Sequence, residues 1–211
     1  DPIQWNLYKL PFAAKCGGIY ADWLGRLLSA IRGRSRKCLV LDLDNTVWGG
    51  VVGDDGMENL KIGQGSAAGE SFLAVQRYAL ELRQRGIILA VCSKNNDETA
   101  RGPFRGHPDM ALREEHITVF QANWHDKASN LEAIARQLNI GLDALVFLDD
   151  NPAERAHVRA ALPMVALLLA SWAAFNASLG LVLGSLARSE GQRAGLGVLP
   201  SMAMAALGGC W

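Results

Sequence analysis

Short apolar runs alternate with helical patterns along most of this chain, and this alternation limits the folds that are open to it. The run Lys37–Asp44 (KCLVLDLD) is apolar without interruption until its last residues, which is typical of a strand buried on both faces. Similar runs follow at Ile87–Ser93, Ile117–Ala122 and Ala144–Asp150, with Met164–Leu169 as a candidate fifth. We therefore predict four or five short, buried strands.

Three stretches between these runs have the period of a helix that buries one face. They are Gly69–Arg85, Lys127–Leu138 and Pro152–Leu162. In the first stretch, the residues on the predicted buried face are Phe72, Val75, Gln76, Ala79 and Leu82. Alternating strands and helices predict an α/β fold with a Rossmann-like, doubly wound parallel sheet and helices on both sides.

Two segments interrupt the alternation. Trp48–Ser66 follows the first strand, and its turn at Gly53–Gly56 predicts a short β-hairpin flap that is too small to be a cap domain. Residues 160–187 carry no charged residue, and by length alone they could span a bilayer. Their Pro, Gly, Ser and Asn residues instead favour a buried strand and helix, or a surface that packs on a partner, so we expect no membrane span.

These patterns divide the chain into three parts. Residues 1–36 are predicted to form an N-terminal leader and helical linker, and residues 37–163 a catalytic α/β domain. Residues 164–211 form an atypical apolar C-terminal segment. Because the first residue is not Met, we interpret the chain as a piece of a longer protein.

Charge and cysteine content indicate which kinds of partner and which cellular compartment to expect. Lys+Arg and Asp+Glu both total 21, so no basic field attracts nucleic acid, and we expect a small-molecule or protein partner. The four cysteines have no paired spacing, which argues against a zinc site. Cys38 and Cys92 lie inside apolar runs, as reduced core thiols do. The N-terminus lacks the order of a signal peptide, so we expect a cytoplasmic protein.

Polar residues gather where the predicted strands end. The first strand ends in DLDNT (Asp42–Thr46), the second in SKNN (Ser93–Asn96) and the fourth in DDNP (Asp149–Pro152), and Lys127 opens the helix after the third. In a doubly wound sheet the carboxyl ends of the strands meet at one edge, where ligands bind. We therefore expect these polar residues to converge.

The residue types in this set suit phosphoryl transfer. Crowded carboxylates repel one another and need a hard cation such as Mg²⁺, for which the candidate ligands are Asp42, Asp44, Asp149 and Asp150. If the first strand stays regular to its end, Asp42 and Asp44 share a face, so that one can attack phosphorus while the other serves as acid and base. The candidate phosphate-binding residues are Thr46, Ser93, Lys94 and Lys127.

Each of these residues also has an ordinary structural interpretation. A DxD at a strand end is often a turn or a solvated cap, and the second acidic pair could cap the helix that follows it. Lys127 alone could be a surface residue, and Ser93 a turn residue. Trp48 and Trp124 could line the mouth of a pocket or pack against the flap, and packing is the simpler interpretation. The arrival of all four groups at strand ends favours a catalytic site.

At these residues the sequence resembles the haloacid dehalogenase-like (HAD) superfamily. The first motif corresponds to Asp42–Thr46, the second to Ser93, the third to Lys127 and the fourth to Leu148–Pro152. The longer strings KCLVLDLDNTVWGGVVGDDG, AVCSKN, NWHDKASNL and LVFLDDNPAER are similar to the FkbH-like subfamily, and the similarity covers residues 1–163. The resemblance implies a HAD-type fold with a short flap and no large cap.

The resemblance also implies a role for each site residue. Asp42 would be the phosphoryl-accepting nucleophile and an Mg²⁺ ligand. Asp44 would be the general acid and base, with its backbone carbonyl on the metal. Asp149 and Asp150 would hold Mg²⁺, one of them directly. The hydroxyl and ammonium groups that follow the second and third strands would bind the phosphoryl group.

The FkbH-like resemblance implies a more specific reaction. Members of this subfamily are associated with loading a glyceryl unit from 1,3-bisphosphoglycerate onto an acyl carrier protein in polyketide pathways, through a thioester and with loss of phosphate. Cys92, beside Ser93, is the candidate for a catalytic cysteine that carries the acyl group. The alternative for Cys92, a buried core thiol, is favoured because this residue ends an apolar strand.

Other functions remain open from the residues. A HAD phosphatase acting on a small metabolite or a phosphoprotein would share the aspartate site and would need neither Cys92 nor a carrier protein. A non-catalytic receiver-like domain also gathers carboxylates and a lysine at strand ends. Its phosphorylated aspartate lies on the third strand, however, and here the third run ends in QANW. A degenerate partner or scaffold is the last alternative.

Overall fold

The computed structural model describes residues 17–33 and 35–169. The described residues divide into two compact units, with residues 17–33 and 35 in the first and residues 36–169 in the second. The described part of the first unit is chiefly helix α1 (Gly17–Ile31). Exposed large apolar side chains on this helix are Ile19, Tyr20, Trp23, Leu24, Leu27, Leu28 and Ile31.

The second unit contains a five-stranded parallel sheet in the order β3-β2-β1-β4-β5. The strands are β1 (Cys38–Leu41), β2 (Ile88–Ser93), β3 (Val119–Ala122), β4 (Leu145–Asp149) and β5 (Ala166–Leu169). The helices are α2 (Val52–Asp55), α3 (Ala67–Gln84), α4 (Asp97–Gly106), α5 (Lys127–Leu138) and α6 (Pro152–Ala161). Short 3₁₀ turns cover Met57–Asn59, Glu114–His116 and Leu142–Ala144. The predicted α/β class and parallel sheet are confirmed.

Strand β1 occupies the centre of the sheet, and this position explains its uninterrupted apolar sequence. Val40 pairs with Ala90 of β2 on one side and with Phe147 of β4 on the other. All four residues of β1 are buried. Helices α5 and α6 cover one face of the sheet through Leu131, Ile134 and Val158. The chain leaves this buried centre at the carboxyl edge, which is where the polar residues begin.

The flap is less regular than a β-hairpin. Within the described residues, one antiparallel bridge, between Gly49 and Lys61, joins its two arms. The residues predicted to form a hairpin turn instead form helix α2 and its C-cap, and the carboxylate of Asp55 accepts a hydrogen bond from the backbone N–H of Val51 at 2.8 Å. A Cβ atom on Gly49 would lie 2.6 Å from a ring carbon of Phe72, so the base of the flap packs closely on α3.

Residues 166–169 of the predicted C-terminal segment belong to the sheet as β5. Residues 170–211 lie outside the described part of the chain, so the interpretation of that uncharged segment stays a prediction. No helix among the described residues has the length and apolarity that a bilayer crossing requires. Cys38 and Cys92 are free and buried, as predicted for core thiols.

Helix α4 is not indicated by the apolar pattern, because few of its residues are buried. Ala100, Pro103 and Phe104 face the interior. Ion pairs supply further contacts, since Arg101 and Arg105 both lie 2.5 Å from carboxylate oxygens of Glu114. Hydrogen bonds from Arg105 and then Arg101 lower the pKa of Glu114 from 4.5 to about 2. This carboxylate therefore ties α4 to the segment that leads into β3.

We expect Glu114→Gln to destabilise the protein more at neutral pH than in acid. The folded-state pKa of Glu114 is depressed, so its contribution is complete above about pH 4.5 and is lost as the pH falls through about pH 2. Urea midpoints measured at neutral pH and at pH ~3 should differ between wild type and variant by less in acid. Glu115→Gln is the matched control, because the Glu115 side chain is exposed. An equal difference at both pH values would contradict this assignment.

A buried amide connects α3 to the loop that follows β1. Gln76 is fully buried on the predicted apolar face of α3. Its amide nitrogen donates to the carbonyl oxygen of Val47 at 2.9 Å, and its amide oxygen accepts from the backbone N–H groups of Ala111 and Leu112 at 2.8 and 3.2 Å. One side chain therefore satisfies three backbone groups of two separate segments.

Replacing Gln76 by Leu should lower the free energy of unfolding by about 2–4 kcal/mol, because buried backbone groups lose their partners. Urea unfolding monitored by circular dichroism gives this value. The control is Gln84→Leu, since Gln84 lies on the same helix and is exposed. Equal stability of the two variants would show that the Gln76 amide contributes nothing beyond packing.

Candidate active site

The backbone changes course directly after β1. The N–H of Asp42 still donates to the carbonyl oxygen of Leu148 at 2.9 Å, but the N–H groups of Thr46 and Val47 turn back to the carbonyl oxygen of Leu43. Asn45 adopts a positive φ of 56° within this turn. The strand does not stay regular to Asp44, so strand alternation does not place Asp42 and Asp44 on one face.

Three carboxylates converge at the carboxyl edge of the sheet. Asp42, Asp149 and Asp150 each offer an oxygen atom, and these oxygens lie within 4.8 Å of one another. Asp42 and Asp149 are buried, and Asp150 is partly exposed. A set of hard oxygen donors at this spacing fits a hard cation such as Mg²⁺.

Lys127 supplies a buried positive charge to these carboxylates. Its ammonium nitrogen lies 3.0 Å from Oδ1 of Asp42 and 2.6 Å from Oδ2 of Asp149. Lys127 is 3 % exposed, so its interpretation as a surface residue is wrong. Burial lowers the pKa of Lys127, but the two carboxylates together outweigh burial and raise it. The side chain is therefore a charged ammonium in the folded protein.

The protonation of Asp42 is set mainly by burial. Burial raises the pKa of Asp42 to about 7, although Lys127 acts in the opposite direction, and the nearby Asp149 raises it further. A carboxylate must be ionised to attack phosphorus. The three acidic groups outnumber the Lys127 ammonium that contacts two of them, so a bound divalent cation would favour the ionised form of Asp42.

The carboxylate of Asp44 lies outside the group of three and is held by the flap. Its Oδ1 accepts from the indole N–H of Trp48 at 2.9 Å and from the backbone N–H of Val52 at 3.1 Å. Its Oδ2 accepts from the amide of Asn95 at 3.1 Å. Trp48 is buried and packs edge-on against Phe104, with ring centroids 5.8 Å apart. The predicted metal contact of Asp44 concerns its backbone carbonyl and stays a prediction.

The hydroxyl of Thr46 connects the loops that follow β1 and β4. It accepts from the backbone N–H of Asp150 at 3.2 Å and is 3.4 Å from Oδ1 of the same residue. Thr46 is buried. This arrangement orients Asp150 toward the carboxylate group, and the predicted phosphate-binding role of Thr46 stays a prediction.

The two candidate phosphate-binding residues after β2 differ in their surroundings. Ser93 is buried, and among the described residues no hydrogen bond of its hydroxyl is found, so this group can donate to a phosphoryl oxygen. The ammonium of Lys94 lies 2.6 Å from a carboxylate oxygen of Glu154, in the first turn of α6. The charge of Lys94 is therefore paired with a carboxylate of the protein itself, and the phosphate-binding role of Lys94 stays a prediction.

Cys92 lies inside the sheet core. Its exposed fraction is 0 %, and its sulfur is 3.8 Å from the carbonyl oxygen of Lys127. Burial raises the pKa of the thiol well above its ordinary value. A neutral thiol without solvent access is a poor nucleophile, so the structure favours the core-thiol interpretation of Cys92 over an acyl-carrying one.

Several residues that support the site were not singled out by sequence reasoning. Asn95 orients Asp44, and the guanidinium of Arg155 donates to the carbonyl oxygen of Asp149 at 2.7 Å. The amides of Asn123 and Asn130 bond each other at 3.1 and 2.8 Å and fix the loop that precedes Lys127. All belong to or adjoin the polar strings at strand ends, but their partners follow only from the fold.

Comparison with known proteins finds a substantial similarity to a solved structure. No protein-family model matches the chain, and no curated protein matches it. Among solved structures, the N-terminal part of a Bacteroides fragilis protein, which contains a phosphatase domain and was crystallised with Mg, has 46 % sequence identity and a TM-score of 0.69. The match covers 80 % of this chain and 45 % of that chain, so this chain spans less than half of its length.

Two other solved structures share less with this chain. The Unknown transcript 4 protein of Saccharomyces cerevisiae has 12 % identity and a TM-score of 0.39, over 64 % of this chain and 89 % of that chain. A protein of Mesorhizobium loti described as a HAD-like phosphatase has 17 % identity and a TM-score of 0.41, over 74 % and 90 %. Neither similarity is strong enough to carry an argument.

Thr46→Val should weaken Mg²⁺ binding about tenfold, because Asp150 loses the hydroxyl that orients it, and residues behind a metal ligand have effects of this size. Isothermal titration with Mg²⁺ measures the change. Thr118→Val is the control, because Thr118 is exposed and precedes β3 at the opposite edge of the sheet. Unchanged Mg²⁺ affinity with weakened phosphate binding would instead support a phosphate-binding hydroxyl.

Proposed function

We propose that this chain, which has the fold of the HAD-like phosphatases, is a Mg²⁺-dependent phosphoryl-transfer domain with Asp42 as its nucleophile. The observation that carries this proposal is the buried Lys127 ammonium, 3.0 Å from Asp42 and 2.6 Å from Asp149. Burying a charged ammonium group is costly in free energy unless groups of opposite charge pair with it. Here it lies where a phosphoryl group would meet the attacking carboxylate.

The cofactor proposal rests on the carboxylates and on the comparison. Asp42, Asp149 and Asp150 offer oxygen atoms close enough to hold one ion. The Bacteroides fragilis protein, at 46 % identity, was crystallised with Mg. When bound, Mg²⁺ would neutralise the charge of a phosphoryl group beside the carboxylates.

The first step follows from the placement of Asp42. An oxygen of the ionised Asp42 carboxylate attacks phosphorus, the bond from phosphorus to the leaving-group oxygen breaks, and an aspartyl phosphate forms. Lys127 and the hydroxyl of Ser93 donate hydrogen bonds to the phosphoryl oxygens. Their burial strengthens these interactions, because little water competes with them.

The carboxyl group of Asp44 acts as the general acid and general base. It gives a proton to the leaving-group oxygen in the first step, when that group is an alkoxide, and takes one from the attacking water in the second. Water attacks phosphorus, the bond to Asp42 breaks, and phosphate leaves. The hydrogen bonds from Trp48, Val52 and Asn95 hold the Asp44 carboxyl group in position for both transfers.

For the substrate, we propose a phosphorylated three-carbon acyl compound, 1,3-bisphosphoglycerate, whose glyceryl unit is loaded on an acyl carrier protein with release of phosphate. The carrier thiolate attacks the C1 carbonyl carbon and the bond from this carbon to the C1 phosphate oxygen breaks, which forms the thioester and releases one phosphate. The aspartate chemistry described above acts on the 3-phosphate, whose leaving group is an alkoxide, and releases the second phosphate. This proposal rests on the similarity of the strings around Asp42, Ser93, Lys127 and Asp149 to FkbH-like proteins. The small flap supports it, because a site without a large cap can admit a group carried by a second protein. The burial of Cys92 favours direct transfer to the thiol of the carrier.

A HAD phosphatase acting on a small metabolite or a phosphoprotein is the second candidate function. The 46 % identity to a protein with a phosphatase domain favours it, and the geometry of the carboxylates suits both candidates equally. The two differ in whether an acyl group reaches a carrier protein. The receiver-like alternative is disfavoured, because the buried lysine follows β3 and the acidic residues follow β1 and β4.

Incubation with 1,3-bisphosphoglycerate, Mg²⁺ and an acyl carrier protein should release phosphate and add a glyceryl mass to the carrier. Asp42→Asn should reduce the enzymatic release of the 3-phosphate by about a thousandfold or more, because the amide cannot attack phosphorus. Intact-mass spectrometry and a phosphate assay measure the two products. Asp143→Asn, in an exposed turn at the opposite edge of the sheet, is the matched control.

The outcomes separate the candidates. A glyceryl adduct on the carrier that is replaced by a phosphoglyceryl adduct in Asp42→Asn, and that persists in Cys92→Ala, supports glyceryl loading by direct transfer. Loss of the adduct in a folded Cys92→Ala protein would restore the acyl-carrying role of this cysteine. Phosphate release without any adduct supports a phosphatase, and equal activity of Asp42→Asn and wild type would refute the aspartate mechanism.

A further inference from the structure

An exposed tryptophan lies in the loop that follows β3, at the carboxyl edge of the sheet. Trp124 is 71 % exposed, whereas Trp48 is buried, so the packing interpretation holds for Trp48 and is wrong for Trp124. In the described part of the second unit, the other exposed large apolar side chain is Met164, before β5 at the opposite edge of the sheet. Single exposed apolar residues are common, so exposure alone assigns Trp124 no role.

The loop that carries Trp124 is fixed by hydrogen bonds. The N–H of Asn123 donates to the carbonyl oxygen of Ser93 at 3.1 Å, which continues the pairing of β3 with β2. The reciprocal amide pair of Asn123 and Asn130 holds the loop against α5, and the N–H of His125 donates to the Asn123 side chain at 3.0 Å. These hydrogen bonds hold the backbone of Trp124 in place, three residues before the buried Lys127.

The indole itself is also held in place. Its N–H donates to the side-chain oxygen of Asn96 at 3.1 Å. A largely exposed ring that is fixed by a hydrogen bond at its edge can bind a ligand without losing much conformational freedom of its own. This combination of exposure and fixed orientation is what an ordinary surface tryptophan lacks.

The segment that anchors the indole also orients the acid and base group. Asn96 holds Trp124, and its neighbour Asn95 donates to Asp44 at 3.1 Å. The side-chain oxygen of Asn95 accepts from the backbone N–H of Asn96 at 2.9 Å, which makes the two residues one rigid unit. Asn96 and Asn95 therefore connect the indole to Asp44, which serves the leaving-group oxygen in the proposed reaction.

We propose that Trp124 is a substrate-binding residue that packs against the leaving group, and that the site prefers phosphoesters whose leaving group offers a ring or an extended apolar chain. This inference rests on the proposed phosphoryl-transfer function and adds a substrate class to it. Small, fully polar leaving groups, including that of 1,3-bisphosphoglycerate, would gain nothing from the indole, so this inference favours the phosphatase candidate of the two functions proposed above. The phosphoryl group itself is bound by other residues, so its affinity does not depend on Trp124.

Binding of two non-hydrolysable phosphonates tests the inference without requiring turnover. Wild-type protein with Mg²⁺ should bind benzylphosphonate about tenfold more tightly than methylphosphonate, since an aromatic contact of ordinary strength gives a factor of this size. Trp124→Ala should lose this preference and keep its affinity for methylphosphonate, and Trp124→Phe should retain most of the preference. Met164→Ala, an exposed apolar residue at the other edge, should behave as wild type.

Turnover of p-nitrophenyl phosphate and acetyl phosphate separates this inference from the proposed function. Trp124→Ala should raise KM for the aryl ester about tenfold with little change in kcat, and should leave acetyl phosphate hydrolysis unchanged. Turnover with equal preference in wild type and Trp124→Ala would overturn the role of Trp124 and leave the function standing. A benzylphosphonate preference that requires Trp124 in a protein without turnover would retain the binding role and overturn the function. Absence of any preference in wild type would overturn the inference.

Discussion

The contact of the Lys127 ammonium with Asp42 and Asp149 is the interaction on which the site depends. It joins three elements that are far apart in sequence, namely the end of β1, the end of β4 and the start of α5. Removing one partner of a buried ion pair costs about 3–5 kcal/mol, because the other charge is left in a dry interior. The same charges that need one another for folding are those that phosphoryl transfer requires, so stability and chemistry are coupled here.

Around this ion pair, polar side chains lock each loop to its neighbour. Thr46 joins the first loop to Asp150, and Asn95 joins the second to Asp44. The Asn123–Asn130 amide pair fixes the third loop, and Arg155 fixes the fourth. Beyond the carboxyl edge of a parallel sheet, the backbone N–H and C=O groups have no neighbouring strand to bond. Side chains supply hydrogen bonds to them instead. The site is therefore held in position before any ligand arrives.

Sequence periodicity predicted the elements that are buried on several sides. The five strands and helices α3, α5 and α6 lie where continuous apolar runs and helical periods place them, because burial dictates both patterns. Helix α4 escaped prediction, because arginine and glutamate pairs replace an apolar face, and the flap formed a helical turn where a hairpin was expected. Ion pairs and local capping leave no periodic signal in the sequence.

The sequence by itself determined the fold class and the types of chemical group at the carboxyl edge of the sheet. Parallel strands all end at this one edge, so the acidic, hydroxyl and ammonium groups that follow them must lie there. The tertiary structure decided the position and the partners of each of these groups. It placed Asp42, Asp149 and Asp150 together, turned the Asp44 carboxylate to the flap, paired Lys94 with Glu154 and enclosed Cys92. It also left Trp124 exposed and Trp48 buried, a distinction that depends on packing between distant segments and not on local sequence.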